Sequence, residues 1–392
     1  MELKILLWLS IFLIFYIYVG YTIVLTILSK IFKIQDSTQA VAVDMPAVTL
    51  FVAAWNESES VLEKVKNSLE IDYPADKLTF LWVTDGSDDG TPDILKQFPQ
   101  MTVLHEPERN GKIGAMNRGM KFVKTPIVVF CDANTFLNKN AITEIVKTFS
   151  DSRVGCVAGE KRIFSFDKDS ASGSGEGFYW KLESYLKKTE SILGSTVGAA
   201  GELFAIRTEL FQEVEPDTIL DDFLISMRII SNGYKVKYNP NAIATEMSSA
   251  TVSDELTRKV RIAAGGFQVI SRLSALLNPF AKPWICFTYV SHKVLRWTVL
   301  PLVFLIAFFS NYFLVLERNH YWIYDILYIA QLCFYFATLI GAVLQNRSIK
   351  VKIFFIPYYL MMMNYAIVLG FFKFLGKKQH VNWVRAQRAV VK

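Results

Sequence analysis

From residue 48 onward, short apolar runs alternate with longer stretches of helical spacing. Runs at 48–53, 78–84, 102–105, 127–131 and 154–159 read as buried strands. Between them, 58–71 sets Val61, Leu62, Val65 and Leu69 at helical spacing. Thr91 can cap a helix with Pro92 at its first position. Asn110-Gly111-Lys112 opens another helix, to about Val123, and 141–149 forms the next. This alternation predicts an α/β domain with a Rossmann-like parallel sheet over about a hundred residues.

The pattern then changes. Residues 165–177 are rich in Ser, Gly and Asp and predict a mobile loop. A helix with aromatics and charges is expected at 178–193, and a small-residue turn at 198–202 leads into the strand 203–207. Asp221-Asp222 starts a helix over 223–230, ended by Asn232-Gly233, and 234–238 returns as a strand.

The flanks carry a different pattern. Residues 5–28 are nearly all apolar and uncharged, long enough to cross a bilayer, and lack a signal peptide's short core and cleavage site. Lys30 and Lys33 follow, against Glu2 and Lys4 in front, which places the following domain in the cytoplasm and the N-terminus outside. A polar linker over 34–46 closes at Pro46. The amphipathic stretch 256–277 puts Arg258, Lys259, Arg261 and Arg272 on a basic face suited to the lipid interface, and 284–297 has the same character. Apolar segments follow at 298–316, 321–345 and 353–375. Arg347, Lys350 and Lys352 place the loop before the last segment in the cytoplasm, yet the basic tail beyond it asks for the same side. Both hold only if that segment does not span fully or another one does. The divisions expected are a transmembrane helix (1–33), linker (34–46), catalytic domain (47–250), interfacial helices (251–297), transmembrane helices (298–376) and basic tail (377–392).

Composition agrees with this layout. The chain is 52% hydrophobic with a mean hydropathy of +0.29, too apolar for an ordinary soluble protein and too polar for an all-membrane one. The net charge of +6 fits positive-inside loops and contact with membrane lipids rather than nucleic acid. The four cysteines and four histidines are dispersed, without disulfide or zinc spacing.

Candidate chemistry begins where strands end. Asp85 closes the second strand and Asp132 the fourth, at the edge where α/β sheets bind ligands. Asp132-Ala133-Asn134 offers two oxygen donors suited to a hard divalent cation on a diphosphate, or a turn with a helix cap.

Five motifs then stand in order: Ala53-Ala54-Trp55-Asn56-Glu57, Asp85-Gly86-Ser87-Asp88-Asp89-Gly90, Asp132-Ala133-Asn134, Gly201-Glu202-Leu203-Phe204-Ala205-Ile206-Arg207 and Asp221-Asp222. Together they resemble glycosyltransferase family 2, in its membrane-bound polysaccharide-synthase branch (hyaluronan, chitin-oligosaccharide, cellulose and poly-N-acetylglucosamine synthases). The resemblance implies a GT-A glycosyltransferase domain flanked by transmembrane and interfacial helices. It implies a UDP-sugar donor, with Ala53 and Glu57 packing on the nucleotide, Asp85 holding its uracil or ribose side and Lys112 approaching its phosphates. Asp132 resembles the first acid of the motif that holds Mg2+ or Mn2+, and Asn134 stands where a second acid is usual. Glu202 lies in the fourth motif and counts with the substrate-binding residues. Asp222 resembles the general base, with Asp221 beside it to raise its pKa by like-charge repulsion; either acid would also suit the start of a helix.

One motif is incomplete. Where polymerising members carry Gln-x-x-Arg-Trp, this chain reads Arg258-Lys259-Val260-Arg261-Ile262. Arg261 keeps the diphosphate-contacting arginine, while the glutamine and the acceptor-binding tryptophan are missing. Trp180 can offer an acceptor sugar a stacking surface or be core.

The expectation is therefore an integral protein of the cell (inner) membrane, its catalytic domain cytoplasmic, that inverts the sugar while extending an extracellular glycan. Four spans are few for a polymer channel, which favours either single-sugar transfer or a homo-oligomer or export partner that completes one. The competing expectations are single-sugar transfer onto a lipid-linked acceptor and a catalytically inactive scaffold of an export complex.

Overall fold

The computed structural model describes residues 1–32, 45–164, 171–247, 252–317, 320–347, 349 and 351–377. Most of the expected linker, the first part of the expected mobile loop and nearly all of the basic tail lie outside these residues. Two compact units divide the chain, one built on the apolar helices at both ends and the other on the α/β stretch between them.

The chain opens with one apolar helix, Glu2–Phe32. In it α1 (Glu2–Phe15) and α2 (Tyr21–Phe32) are joined by a π turn at Tyr16–Gly20.

The α/β stretch runs β1 (Val48–Ala54), α3 (Val61–Leu69), β2 (Leu78–Asp85), α4 (Thr91–Lys96), β3 (Met101–Glu106), α5 (Gly111–Met120), β4 (Ile127–Asp132), β5 (Phe136–Leu137), α6 (Ala141–Thr148) and β6 (Val154–Phe164). Then follow α7 (Ala171–Leu193), β7 (Leu203–Arg207), α8 (Asp221–Ser231) and β8 (Lys235–Met247). The strands form one eight-stranded sheet in the order β3-β2-β1-β4-β7-β6-β8-β5. Val48, Leu50, Phe51 and Val52 are all buried, as expected of a strand covered on both faces.

The sheet is mixed, which corrects the expectation of a parallel one. Strands β3, β2, β1 and β4 are parallel. β7 enters between β4 and β6 and runs antiparallel to both. The connection from β6 to β7 carries α7 and then the turn at 198–202, long enough to bring β7 in from either direction. In the parallel half, Ala53 pairs in register with both Val83 and Asp132. The carboxyl ends of β1, β2 and β4 are therefore level.

Three local expectations also change. The described part of the expected loop, from Ala171, is helical. Extending a helix already nucleated by the following residues costs far less than starting one, so small polar residues can join it. Gly90, at φ +86°, holds the cap position of α4, and Thr91 is its first residue. Strand β8 continues well beyond 238, to Met247.

The second group of helices comprises α9 (Val252–Arg272), α10 (Pro283–Tyr289), a π turn at Val290–Val294, α11 (Leu295–Thr298), α12 (Leu300–Val315), α13 (Trp322–Asn346) and α14 (Lys352–Leu375). Among the described residues three helices, Glu2–Phe32, Trp322–Gln345 and Ile353–Leu375, are long and apolar enough to cross a membrane. The span expected at 298–316 is instead half of a bent pair, Pro283–Thr298 with Leu300–Val315, angled at 59°. Pro301, in the first turn of α12, has no N–H to continue the helix before it.

α1 and α12 pack antiparallel: Leu7 clusters with Ala307 and Leu314, and Ile17 with Leu300 and Val303. The basic face expected on α9 is partly folded in. Lys259 is buried, and Glu255 pairs with both Arg258 (2.8 Å) and Lys259 (3.5 Å). α14 rests on α9 where Gly370 leaves no room for a side chain, since a methyl there would stand 2.5 Å from Ala263 Cβ. The last apolar segment thus has an amphipathic helix as its packing partner.

Candidate active site

Three aspartates from two distant parts of the sequence meet at one ammonium group. Lys112, the second residue of α5, donates from Nζ to Asp132 Oδ1 at 2.9 Å. The same Nζ lies 3.3 Å from Asp221 Oδ2 at the start of α8. Asp222 is near enough to act on Lys112 electrostatically. Gly201 borders the group: a methyl there would stand 3.3 Å from Asp222 Oδ2 and 3.5 Å from Lys112 Nζ. Asp132 arrives from the end of a parallel strand, Asp221 and Asp222 from a helix N-terminus whose dipole favours acids.

Lys112 owes its position to Asp85. This buried carboxylate accepts the N–H groups of Asn110 (2.9 Å) and Gly111 (2.6 Å) through Oδ2. Its Oδ1 pairs with Arg118 Nη1 at 3.3 Å. Asp85 thus fixes the first turn of α5, from which Lys112 projects. Beside it, Arg109 stacks on the Trp55 ring, 3.4 Å from its centroid. Gly86, at φ +66°, allows this approach, because a methyl there would lie 2.6 Å from Arg109 Cβ.

The electrostatics follow from crowding. Burial alone would favour loss of the Lys112 proton, but Asp132, Asp221 and Asp222 outweigh it and hold the ammonium charged. Burial pushes Asp222 up to about 7, and the Asp221 charge adds to this while Lys112 opposes it. Burial likewise moves Asp132 above the usual carboxylate range, against Lys112 and together with Glu202 and Glu246.

Glu202 belongs to a second charged cluster. Lys161, in β6, is buried between Glu202 and Glu246, with Glu246 Oε2 at 2.5 Å and Glu202 Oε1 closer still. Sequence reasoning missed Lys161, Glu246, Arg118 and Arg109. Lys161 stands between Glu160 and Arg162, and nothing in that charged trio marks it as the buried one. The others depend on contacts between distant segments.

The remaining candidates divide. Ala53 sits level with Asp132 at the sheet edge. Glu57 is buried and accepts the Ser60 hydroxyl at 2.8 Å. Asn134 is half-buried in the turn after β4. Arg261 and Trp180 belong to the unit of apolar helices, each half-buried there.

A divalent cation can be tested against these donors. Among the described residues no three histidine, cysteine or acidic side chains form a ready cage. The Lys112 ammonium, between Asp132 and Asp221, shows that this pocket holds positive charge. The donors are hard oxygens, and too few to hold a metal without oxygens from a ligand. They therefore fit a metal that arrives with a diphosphate.

Comparison with known proteins points the same way. A family model described as "Glycosyltransferase like family 2" matches residues 46–265. The poly-beta-1,6-N-acetyl-D-glucosamine synthase of Staphylococcus aureus strain COL is 26% identical over 237 residues, 58% of this chain and 57% of that protein. The chain thus matches little more than half the length of that relative. The synthase of the same name from Staphylococcus epidermidis is 25% identical over 294 residues, 68% of this chain and 70% of its own. Among solved structures, a mannosyltransferase from Pyrobaculum calidifontis, in complex with GDP-Man and Mn2+, superposes with a TM-score of 0.72. It is 22% identical and covers 95% of this chain and 100% of its own, a likeness of fold.

Proposed function

The chain belongs to glycosyltransferase family 2, and on that premise we propose that it is a membrane-bound inverting enzyme that moves a sugar from a nucleotide-sugar to a growing extracellular glycan. The observation that carries this reading is the meeting of Asp132, Asp221 and Asp222 around Lys112.

In this reading Asp222 is the general base. A sugar hydroxyl attacks the anomeric carbon only as it loses its proton, and a carboxylate lifted to about 7 is matched to taking it near neutral pH. One base on the acceptor side, opposite the leaving diphosphate, gives inversion. Asp221 raises the basicity of Asp222 by its charge. Lys112 offsets the negative charge that builds on the departing diphosphate. Asp132, with Asn134, would hold Mg2+ or Mn2+, which when bound supplies further electrostatic stabilisation to that leaving group. Asp85 shapes the nucleotide side of the site through the turn it fixes.

The catalytic domain lies on the cytoplasmic face of the cell membrane, with α9 in the lipid interface and the apolar helices anchoring it. UDP-N-acetylglucosamine is the first donor to test, because the curated relatives carry poly-N-acetylglucosamine in their names. GDP-mannose belongs in the same panel on account of the Pyrobaculum enzyme. Ile262 favours a second acceptor reading, transfer of a single sugar onto a lipid-linked acceptor, because it takes the place of the motif's tryptophan.

The test is purified full-length chain in lipid nanodiscs with a panel of UDP- and GDP-sugars and Mn2+ or Mg2+. Metal-dependent release of the nucleoside diphosphate is expected, lost in Asp222→Asn. No release with any donor and acceptor would end the enzyme reading, and a lipid product one sugar longer would select single transfer.

A further inference from the structure

We infer that Lys112 is a resident counter-ion whose displacement makes divalent-metal binding conditional on the nucleoside diphosphate. The inference rests on the metal reading of Asp132 given above.

Lys112 Nζ occupies Asp132 Oδ1 at 2.9 Å and lies 3.3 Å from Asp221 Oδ2. A divalent cation arriving alone at Asp132 must compete with that ammonium for the same oxygen and then sit beside a like charge. The side chain is 31% exposed, so water screens this repulsion only in part. Nor can its backbone retreat. Asp85 clamps the N–H groups of Asn110 and Gly111, and Gly111 directly precedes Lys112.

A nucleoside diphosphate changes both terms. Its oxygens complete the coordination that the protein leaves short, and they give the ammonium a new acceptor when it leaves Asp132. Metal and nucleotide should therefore bind together, each tightening the other by the same factor. Between turnovers the ammonium offsets part of the negative charge of the three aspartates.

The experiment measures binding, without turnover. Mn2+ affinity is read from the free-ion electron paramagnetic resonance signal, for full-length chain in nanodiscs, with and without UDP or GDP. For wild type, the nucleotide should tighten Mn2+ by at least about tenfold. In Lys112→Met, which keeps the length and removes the charge, Mn2+ alone should bind at least about tenfold tighter than to wild type, and the nucleotide-dependent gain should shrink. A thermal melt confirms that the variant is folded, and the wild-type comparison decides the matter if it is not. Equal Mn2+ affinity with and without nucleotide in wild type, or no tightening in folded Lys112→Met, overturns the inference while leaving the glycosyltransferase reading intact. No Mn2+ binding even with nucleotide removes the metal assignment and this inference with it.

Discussion

The N–H of Gly111 donates to Asp85 Oδ2 at 2.6 Å, joining the end of β2 to the first turn of α5. Through this bond an acid on one strand determines where a lysine on the next helix can reach. Asp85→Asn keeps the shape but weakens acceptance from two N–H groups and loses the charge that faces Arg118. A loss of about 1–3 kcal/mol is expected by thermal unfolding. The donor KM should rise more than kcat falls, because the change loosens the nucleotide side of the site.

Asp222 predicts a pH profile. As the base it works deprotonated, so kcat/KM should climb with pH through about 7 and level off above it. Asp222→Asn should lower kcat by on the order of a hundred- to ten-thousand-fold. Stability runs in the opposite sense. The folded-state pKa lies above the unfolded value, so the native state holds the extra proton between them. Stability therefore falls as pH rises through that window. Asp222→Asn should melt higher than wild type above pH 7; an equal or lower melting temperature there would contradict the buried, raised carboxylate.

Lys161 predicts a cost unrelated to substrate. Lys161→Met leaves Glu202 and Glu246 facing each other without their shared cation. Removing one member of a buried ionic cluster costs about 3–5 kcal/mol. Chemical denaturation should show it, and Lys161→Met with Glu246→Gln should recover part of the loss.

Gly198 predicts a packing clash. It sits at φ +79°, and a methyl there would lie 2.2 Å from Phe223 Cδ2. Phe223 directly follows Asp222 and donates its N–H to Asp222 Oδ1 at 2.8 Å. Gly198→Ala should destabilise by about 1–3 kcal/mol and reduce kcat by shifting Asp222, with the donor KM nearly unchanged.

The strands of the parallel half were legible because burial on both faces leaves unbroken apolar runs, such as Val128 to Cys131. Asp85 and Asp132 were legible as strand-end acids for the same reason. The place of β7 was not, since four apolar residues and an arginine do not encode which neighbours they pair with or in which direction. The helix from Ala171 escaped because composition reports local preference and cannot register propagation from the residues beyond it. Each aspartate around Lys112 could be named from sequence, but their shared contact could not. It depends on how β4, α5 and α8 come together, which no local spacing records. The break near 298 was legible as a change from interfacial to apolar character, but the 59° bend there was not, since hydropathy carries no angle.

The π turn at Tyr16–Gly20 sets a rotational phase. One residue beyond the α repeat turns the helix before it by about 100° against the helix after it. With that offset Tyr16 meets Ser291 at 2.8 Å, while Tyr21 lies against His292 at 6.1 Å between ring centroids. Ser291 and His292 sit in the second π turn, Val290–Val294. Loss of one residue from either turn would act as a twist more than a shortening, carrying one set of side chains around its axis while leaving the other in place. Two helices thus hold matched angular settings, and a deletion in one would call for a deletion in the other.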